Sequence, residues 1–401
     1  MTENTQICRR CICNSRTHGV TINPEGVCLR CAQNDSQSRY DLGAFKQRME
    51  DEFEAVKNTA VSYHVLSMFS GGKDSSYLLY LLKKKYGLRP LAFSVIHPFV
   101  NELSIKNMDR VSKQLGVDLI KFHIDDDMVK QVMSYSIQHA ADYGLGEMFG
   151  CTTCSTIYHK LALIMAIQMG IPYILDGTDP TQSAIPLPIF IAGDRLKSFL
   201  LDGPQQPIDL LFEDALDPSH KGGIYDFSLE RFRDRAFPTK ISPFTIIGYN
   251  CEQNIKELEE AGLLTTEEAN PEATNCDLLH LWSYISFKRF DSHPYTTHIS
   301  QALRRNVPTL VDQFFVEGSN KVNRDQHIRI LDEYKRLLYF LVEHPGEAQG
   351  NLKQLRKKVP TILAHMGEDH LNAFLPRVDR IHHYADYFGI NLDTIESRSP
   401  K

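Results

Sequence analysis

No stretch of these 401 residues approaches the ~18 consecutive apolar residues of a membrane-spanning helix. The first residues, Met1-Thr2-Glu3-Asn4-Thr5-Gln6, lack the basic and apolar regions of a signal peptide. These two absences exclude a helical span and make the cytoplasm the expected location. An excess of positive charge is missing too. The net charge of −6 disfavours a broad nucleic-acid surface, although a local basic groove stays open. There is no internal repeat and no low-complexity tract. The Gly-x-x-x-x-Gly-Lys-Ser/Thr loop of the common ATPases and GTPases is also absent. Apolar content is ordinary at 42%, enough for a full core. The length suits two or three domains at ~150 residues each.

Cysteine, by contrast, is plentiful. Nine in a chain expected to stay reduced need a reason other than disulfides. Cys8-x-x-Cys11 and Cys28-x-x-Cys31 make two knuckles with sixteen residues between them. That spacing suits tetrahedral zinc, which stabilises a segment too small for its own core. Cys13 is a fifth thiol in this segment and is read as the spare. Cys151-Thr152-Thr153-Cys154 stands apart, behind Gly144, Gly146 and Gly150 and at an expected helix start, where thiol pKa falls. Cys276 follows the polar run Glu272-Ala273-Thr274-Asn275, and Cys251 lies in Gly248-Tyr249-Asn250-Cys251-Glu252. Cys151, Cys154 and one of these two would supply three thiolates. Such a set can hold a [4Fe–4S] cluster with one iron open to sulfide. Cys276 is the first choice for the third position and Cys251 the reserve.

Along the chain, residues 41 to 62 carry Phe45, Met49, Phe53 and Val56 at helical spacing. From 63 onward strands and helices alternate. Strands are expected at 65–69, 91–96, 118–124 and 171–175, with helices at 101–115 and 156–169. This alternation implies an α/β fold with a doubly wound parallel sheet. Residues 181 to 245 are irregular and rich in proline, as functional loops and lids are. After about 278 the pattern is helical to 395. Arg304-Arg305 and Arg356-Lys357-Lys358 are read as exposed helix faces and as the best nucleic-acid candidates. Asp125-Asp126-Asp127 is read as a helix cap. His97, at the end of the second strand, is a site candidate.

The most specific stretch is Ser70-Gly71-Gly72-Lys73-Asp74-Ser75-Ser76. A strand precedes it and a helix follows. Glycines let backbone approach an anion, and the N–H groups of a helix start favour negative charge. Lys73 adds a point charge, and Ser75 and Ser76 add hydroxyl donors.

This order of residues resembles the PP-loop of the ATP pyrophosphatase superfamily. The resemblance spans roughly residues 5 to 290. It extends to Asp176-Gly177-Thr178-Asp179-Pro180, a second glycine–acid element. In one direction the chain looks like sulfur-inserting enzymes such as tRNA thiolases with a three-cysteine iron–sulfur cluster. In another it looks like N-acetyl sugar amidotransferases, an impression that Pro271 to His280 and Trp282-Ser283-Tyr284 reinforce. It departs from the first in lacking a second zinc knuckle near the C-terminus, and from the second in the 181–245 stretch and the helical tail.

The resemblance implies a PP-loop-type sheet with an N-terminal zinc ribbon (1–40), an ATP pyrophosphatase domain (41–290) and a helical C-terminal region (291–401). It implies that ATP adenylates a carbonyl-type oxygen of a small substrate, such as a nucleobase or nucleotide, with release of pyrophosphate. Sulfur then replaces that oxygen through Cys151, Cys154 and Cys276. The alternatives are an amidotransferase fed by a partner glutaminase and a tRNA thiolase. Carried onto this sequence, Ser70, Gly71, Gly72, Lys73, Asp74, Ser75 and Ser76 would bind phosphates. Gly177 and Asp179 would lie near the α-phosphate, with Asp74 and Asp179 as Mg²⁺ ligands. Met68, Phe69 and Ser94 would flank the nucleoside. Cys8, Cys11, Cys28 and Cys31 would hold Zn²⁺. A sulfur-donor partner and a homodimer complete these expectations.

Overall fold

The computed structural model describes residues 5–33, 40–182, 188–220, 223–269, 276–315, 322–344 and 352–395. The chain forms two compact units. One comprises residues 37–129 and 153–275. The other gathers residues 1–36, 130–152 and 276–401. The cysteine-rich start and the helical end thus share a unit, although some 240 residues separate them in sequence.

The first of these units is built on six strands: β1 (Val65–Met68), β2 (Pro90–Ile96), β3 (Asp118–His123), β4 (Tyr173–Leu175), β5 (Ile189–Ile191) and β6 (Thr239–Ser242). Their order is β3-β2-β1-β4-β6-β5. Every pairing is parallel except β5 with β6. Val65, Leu66, Leu91 and Ala92 are buried, as central parallel strands with both faces covered require. The first four strands fall where the sequence places them. β5 and β6 are short and lie in the irregular 181–245 stretch, where the sequence pattern signals no strand.

Helix α1 (Leu42–Lys57) starts where the Asp41 carboxylate accepts from Ala44 N at 3.0 Å. It buries Met49, Phe53 and Val56 in the main apolar cluster, with Leu78, Leu82, Val111 and Phe244. α2 (Lys73–Tyr80) follows β1, and α3 (Glu102–Leu115) runs from an Asn101 cap to a left-handed Gly116. α4 (Asp126–His139) is capped by Asp125, which accepts from Met128 N at 2.8 Å. α5 (Phe149–Met169) is apolar on nearly every side. α6 (Gly193–Leu201) and α7 (Pro207–Ala215) occupy the segment between β5 and β6, and α8 (Cys251–Glu260) follows β6. The chain runs outward from β1 to β2 and β3, then returns to β4 on the other side of β1. The ends of β1 and β4 therefore flank the crevice where such sheets bind ligands. Among the described residues, no helix is long and apolar enough to cross a membrane.

In the other unit, α9 (Leu279–Phe290), α10 (Thr296–Arg305) and α11 (Arg324–Glu343) pack around Tyr334, Phe374 and Trp282. A reciprocal Asn323–Gln326 capping box starts α11. The N-terminal segment is sewn to these helices. Asn14 donates to Asp291 O at 2.8 Å, Arg16 to Arg289 O at 2.8 Å, and the Arg324 guanidinium to Cys11 O at 2.9 Å. A cysteine-rich segment with little core of its own thereby gains one from the helical end.

His280 and His293 lie buried in this helical core. His280 Nδ1 is 2.7 Å from Tyr334 Oη, and His293 Nε2 is 3.3 Å from Ser283 Oγ. Burial pushes both imidazoles down to about 3, aided by Arg377 and His293 for the former and by His298 for the latter. Unfolding returns them to the ordinary value near 6.5. The native state therefore holds fewer protons below that pH, and stability falls as pH drops from about 6.5 toward 3, by up to ~1.4 kcal/mol per pH unit for each histidine. Trp282, the single tryptophan, sits in the same core and reports on it. Denaturant midpoints followed by its fluorescence should drop steeply over this window, and the slope should lessen in His280→Gln. A flat profile would contradict the burial of neutral imidazoles.

Candidate nucleotide and metal sites

The glycine loop leaves β1 and turns directly into α2. Gly71 has φ +74°, and a Cβ there would meet Ser104 O at 2.2 Å, so both conformation and space demand glycine. Gly72 caps α2 without a side chain to bond the first-turn N–H groups. Ser75 Oγ accepts from Ser70 N at 3.2 Å and donates to Gly72 O at 3.1 Å, which holds the loop around its own hydroxyl. Ser76 Oγ is buried and has no hydrogen-bond partner. Gly177, after β4, comes so close that a Cβ would lie 3.2 Å from Asp74 C. The structure thus brings together the two elements read from sequence.

Lys73 is almost fully buried and pairs with Asp74 at 2.7 Å. Burial opposes its charge, but Asp74, Cys251 and Asp179 outweigh that cost and raise its pKa. Asp74 also accepts from Tyr249 Oη at 2.5 Å. Asp179 spends one oxygen on Thr181 N and Oγ1, at 2.5 and 2.6 Å, as a turn carboxylate does. Burial raises its pKa, and the charge of Asp74 adds to the effect. Two carboxylates that lie close together in a buried place fit a divalent cation, for which Asp74 and Asp179 are the candidates. Asp176 is buried too. Burial works against its charge, but Lys240 and His159, each 3.4 Å away, and a 2.6 Å bond from Ser242 hold it below the usual carboxylate range.

On the nucleoside side, Ser94 Oγ donates to Phe69 O at 2.5 Å, and Phe69 N donates to Phe93 O at 2.8 Å. Met68 is the last residue of β1. His97 is buried against Tyr158, with ring centroids 5.6 Å apart and nearly parallel. Burial pushes it down to about 4, so it is a neutral packed ring.

Sequence reasoning passes over three residues here. Asn107 donates to Gly71 O at 3.1 Å and to Glu268 O at 3.3 Å. Arg110 grips both oxygens of Glu268 at 2.6 Å and clamps this support. Tyr249 closes the loop from the other side. Asn107 and Arg110 sit three apart on α3, a spacing the sequence displays, but their target lies 158 or more residues away.

In the other unit, Cys8, Cys11, Cys28 and Cys31 are buried, with all four sulfurs within 4.8 Å of one another. Among the described residues this is the one group of three or more cysteine, histidine or carboxylate side chains whose ligand atoms converge closely enough for a single metal ion. Cys8 Sγ accepts from Arg10 N at 3.4 Å and Cys28 N at 3.3 Å, and Arg304 reaches Cys31 Sγ at 3.6 Å. Neighbouring thiols pull Cys11 well below the ordinary range, whereas they raise Cys13, which donates to Ser300 Oγ at 3.2 Å. Four thiolates with Cys13 left over fit a tetrahedral, thiophilic ion such as zinc. Arg304, read from sequence as an exposed face, instead faces this cluster.

The second cysteine set divides. Cys151 and Cys276 lie in the unit of the helices, and Cys154 and Cys251 in the unit of the sheet. Cys151 is on the first turn of α5, with its sulfur 3.4 Å from Tyr295 Oη. The sequence reading expects a helix start to favour thiolate here. Burial wins instead and raises Cys151; it pushes Cys276 up to about 12, helped by the charge of Cys151. Cys154 occupies the next turn of the helix. Residues 272–275, expected as the polar approach to Cys276, lie outside the described residues. Cys251, the reserve, starts α8 and is within electrostatic reach of Lys73 and Asp74.

No family model matches the chain. An uncharacterised protein of Methanocaldococcus jannaschii, MJ1599, is 28% identical over 179 residues, which cover 42% of this chain and 58% of that protein. The chain thus spans somewhat over half the length of this curated relative. Two solved structures are similar in outline. One is the U34-tRNA thiolase NcsA from Methanococcus maripaludis with its [4Fe-4S] cluster, with TM-score 0.32 and 16% identity over 80% of this chain and 93% of that one. The other is a predicted subunit of a tRNA methyltransferase from M. jannaschii, with TM-score 0.24 and 21% identity over 51% and 90%. Scores this low transfer no chemistry, and the functional reading rests on this chain's own residues.

Metal content tests the cysteine cluster. Elemental analysis should find about one zinc per chain, lost when Cys8, Cys11, Cys28 or Cys31 is replaced by serine and retained in Cys13→Ser. Loss in Cys13→Ser with retention in Cys11→Ser would reassign the ligands.

Proposed function

We propose that the chain is an ATP-dependent enzyme that adenylates a carbonyl-type oxygen of a small substrate and replaces that oxygen with sulfur. The observation that carries the reading is the loop itself: Gly71 tight against backbone, an uncapped helix start, an orphaned Ser76 hydroxyl and a buried, charged Lys73. This is an anion cradle, and it has a carboxylate pair beside it. The substrate oxygen attacks the α-phosphorus and pyrophosphate departs. A sulfur nucleophile then adds to the activated carbon, and AMP carries the oxygen away. Lys73 and the loop N–H groups stabilise charge that develops on the phosphates. Tyr249 fixes the Asp74 carboxylate that holds Lys73 in place. Asp74 and Asp179 would hold Mg²⁺, which supplies Lewis-acid neutralisation of the phosphates when bound.

Sulfur as the incoming atom is supported by the cysteines outside the four-thiol cluster. Cys151 and Cys276 interact electrostatically in one unit, and Cys251 lies beside Lys73 in the other. One observation favours a second reading, with nitrogen as nucleophile: burial holds Cys151 and Cys276 as thiols, and an amidotransferase needs no thiolate.

Purified protein should convert ATP to AMP and pyrophosphate in the presence of its acceptor. Lys73→Ala should slow this step about 10²-fold or more. ADP and phosphate as direct products would sink the adenylation reading. Anaerobic iron and sulfide analysis, with turnover of a Cys151→Ala, Cys154→Ala double variant on ammonia, separates sulfur from nitrogen. Full turnover by that variant would establish the amidotransferase.

A further inference from the structure

A cavity of about 590 Å³ opens in the sheet-bearing unit, within the irregular segment between β4 and β6. Its aromatic walls are Phe199, Tyr225 and Phe227, with the His220 ring beside them. Phe199 is 53% exposed, so its ring is open to a ligand on this side. The other rings are fixed. Tyr225 Oη accepts from Asp125 N at 2.7 Å, and its ring stands edge-on to Phe122 and His220 at 6.3 and 5.8 Å. Phe227 is held edge-on to Phe212 at 5.4 Å. His220 Nδ1 is buried and has no hydrogen-bond partner.

The charges on this cavity are lopsided. Lys160 is the single cation among its described lining residues, and Asp209 neutralises it at 2.6 Å. Four further carboxylates line it: Glu213, which accepts from the Gln205 amide at 2.6 Å, Asp217, Asp226, and Glu230, which is paired with Arg233 at 2.7 Å. A phosphate placed here would meet more like charge than unlike, with no unpaired cation among the described lining residues. Carboxylates are acceptors only, so they select ligands that present N–H groups. Fixed aromatic walls select flat rings, which bury area at low entropic cost.

We propose that this cavity binds an unphosphorylated nitrogen heterocycle bearing amino or ring N–H donors, as a free base or its nucleoside. The pocket is the acceptor site of the adenylation reaction, an assignment that rests on the functional reading above, whereas the ligand class rests on the cavity alone. The link between the two sites is α5. His159 reaches Asp176 at the end of β4, and the next residue, Lys160, lines the cavity.

The test is direct binding to the full chain without ATP, by calorimetry. The probes are cytidine, guanosine, their 5′-monophosphates and N-acetylglucosamine. A nucleoside should bind at least about tenfold more tightly than its own monophosphate. Phe199→Ala, at an exposed position that the fold does not need, should weaken nucleoside binding about fivefold or more. The Glu213→Gln, Asp226→Asn double variant should narrow the gap between nucleoside and monophosphate. Equal or tighter binding of a monophosphate, preference for N-acetylglucosamine, no nucleoside binding at about 10 mM, or indifference to Phe199→Ala would each overturn the proposal. Lys73→Ala should leave nucleoside binding intact. Nucleoside binding without ATP cleavage would therefore count against adenylation alone, and cleavage without such binding against the pocket alone.

Discussion

A buried ammonium in a glycine loop is the constraint on which the sheet-bearing unit depends. Lys73 sits where burial alone would discharge it, and the surrounding structure is arranged to keep it charged. Asp74 is adjacent in sequence, but its orientation needs Tyr249 from the segment after β6. Asp179 contributes from the turn after β4. The two glycines are part of the same constraint, because a side chain at Gly71 would collide with the Ser104 carbonyl and one at Gly177 would press on the Asp74 backbone. Removing a partner of Lys73 strands a buried charge, which costs more than emptying an ordinary packed position on the surface. The arrangement thus tolerates little change.

Local features of this site are legible in the sequence, and its supports are not. The strand–glycine–helix order at 65–82 is a local signal, since apolar runs and glycines specify it without reference to the rest of the chain. The first four strands are visible for the same reason. β5 and β6 are three and four residues long, too short for periodicity to register; β6 is a strand because β4 offers an edge, and β5 because β6 in turn offers one. Asn107, Arg110 and Tyr249 look like ordinary surface residues until the fold brings Gly71, Glu268 and Asp74 to them. Likewise, no pattern within residues 1–36 announces that their core is completed by Ser300, Arg304 and Arg324. The knuckles give the metal spacing, and packing decides where they dock.

The cysteines show how burial overrides a local rule. A helix start lowers a thiol pKa by a partial charge at close range, while desolvation acts on the whole ionised sulfur. At Cys151 the second effect is larger. In the N-terminal cluster four sulfurs converge, and some share the proton burden of others, so Cys11 is driven down as Cys13 is driven up. The same residue type serves as ligand in one place and as inert apolar filler or masked nucleophile in another.

Charge also sorts what the sheet-bearing unit can bind. At the ends of β1 and β4 the unit offers Lys73, loop N–H groups and serine hydroxyls, a surround that suits phosphate. Along the segment between β4 and β6 it offers aromatic faces and carboxylates, a surround that repels phosphate. A protein that must hold ATP and a second, flat molecule at once gains from this opposition. Under the proposed function, the nucleotide would be drawn to one site by its triphosphate and turned away from the other by the same group. Discrimination then needs no elaborate shape for either ligand, because a single property, the presence or absence of phosphate, decides which site each can occupy. The consecutive residues His159 and Lys160 stand at the boundary between these two environments. One faces Asp176 beside the phosphate cradle, and the other is neutralised by Asp209 on the wall of the cavity.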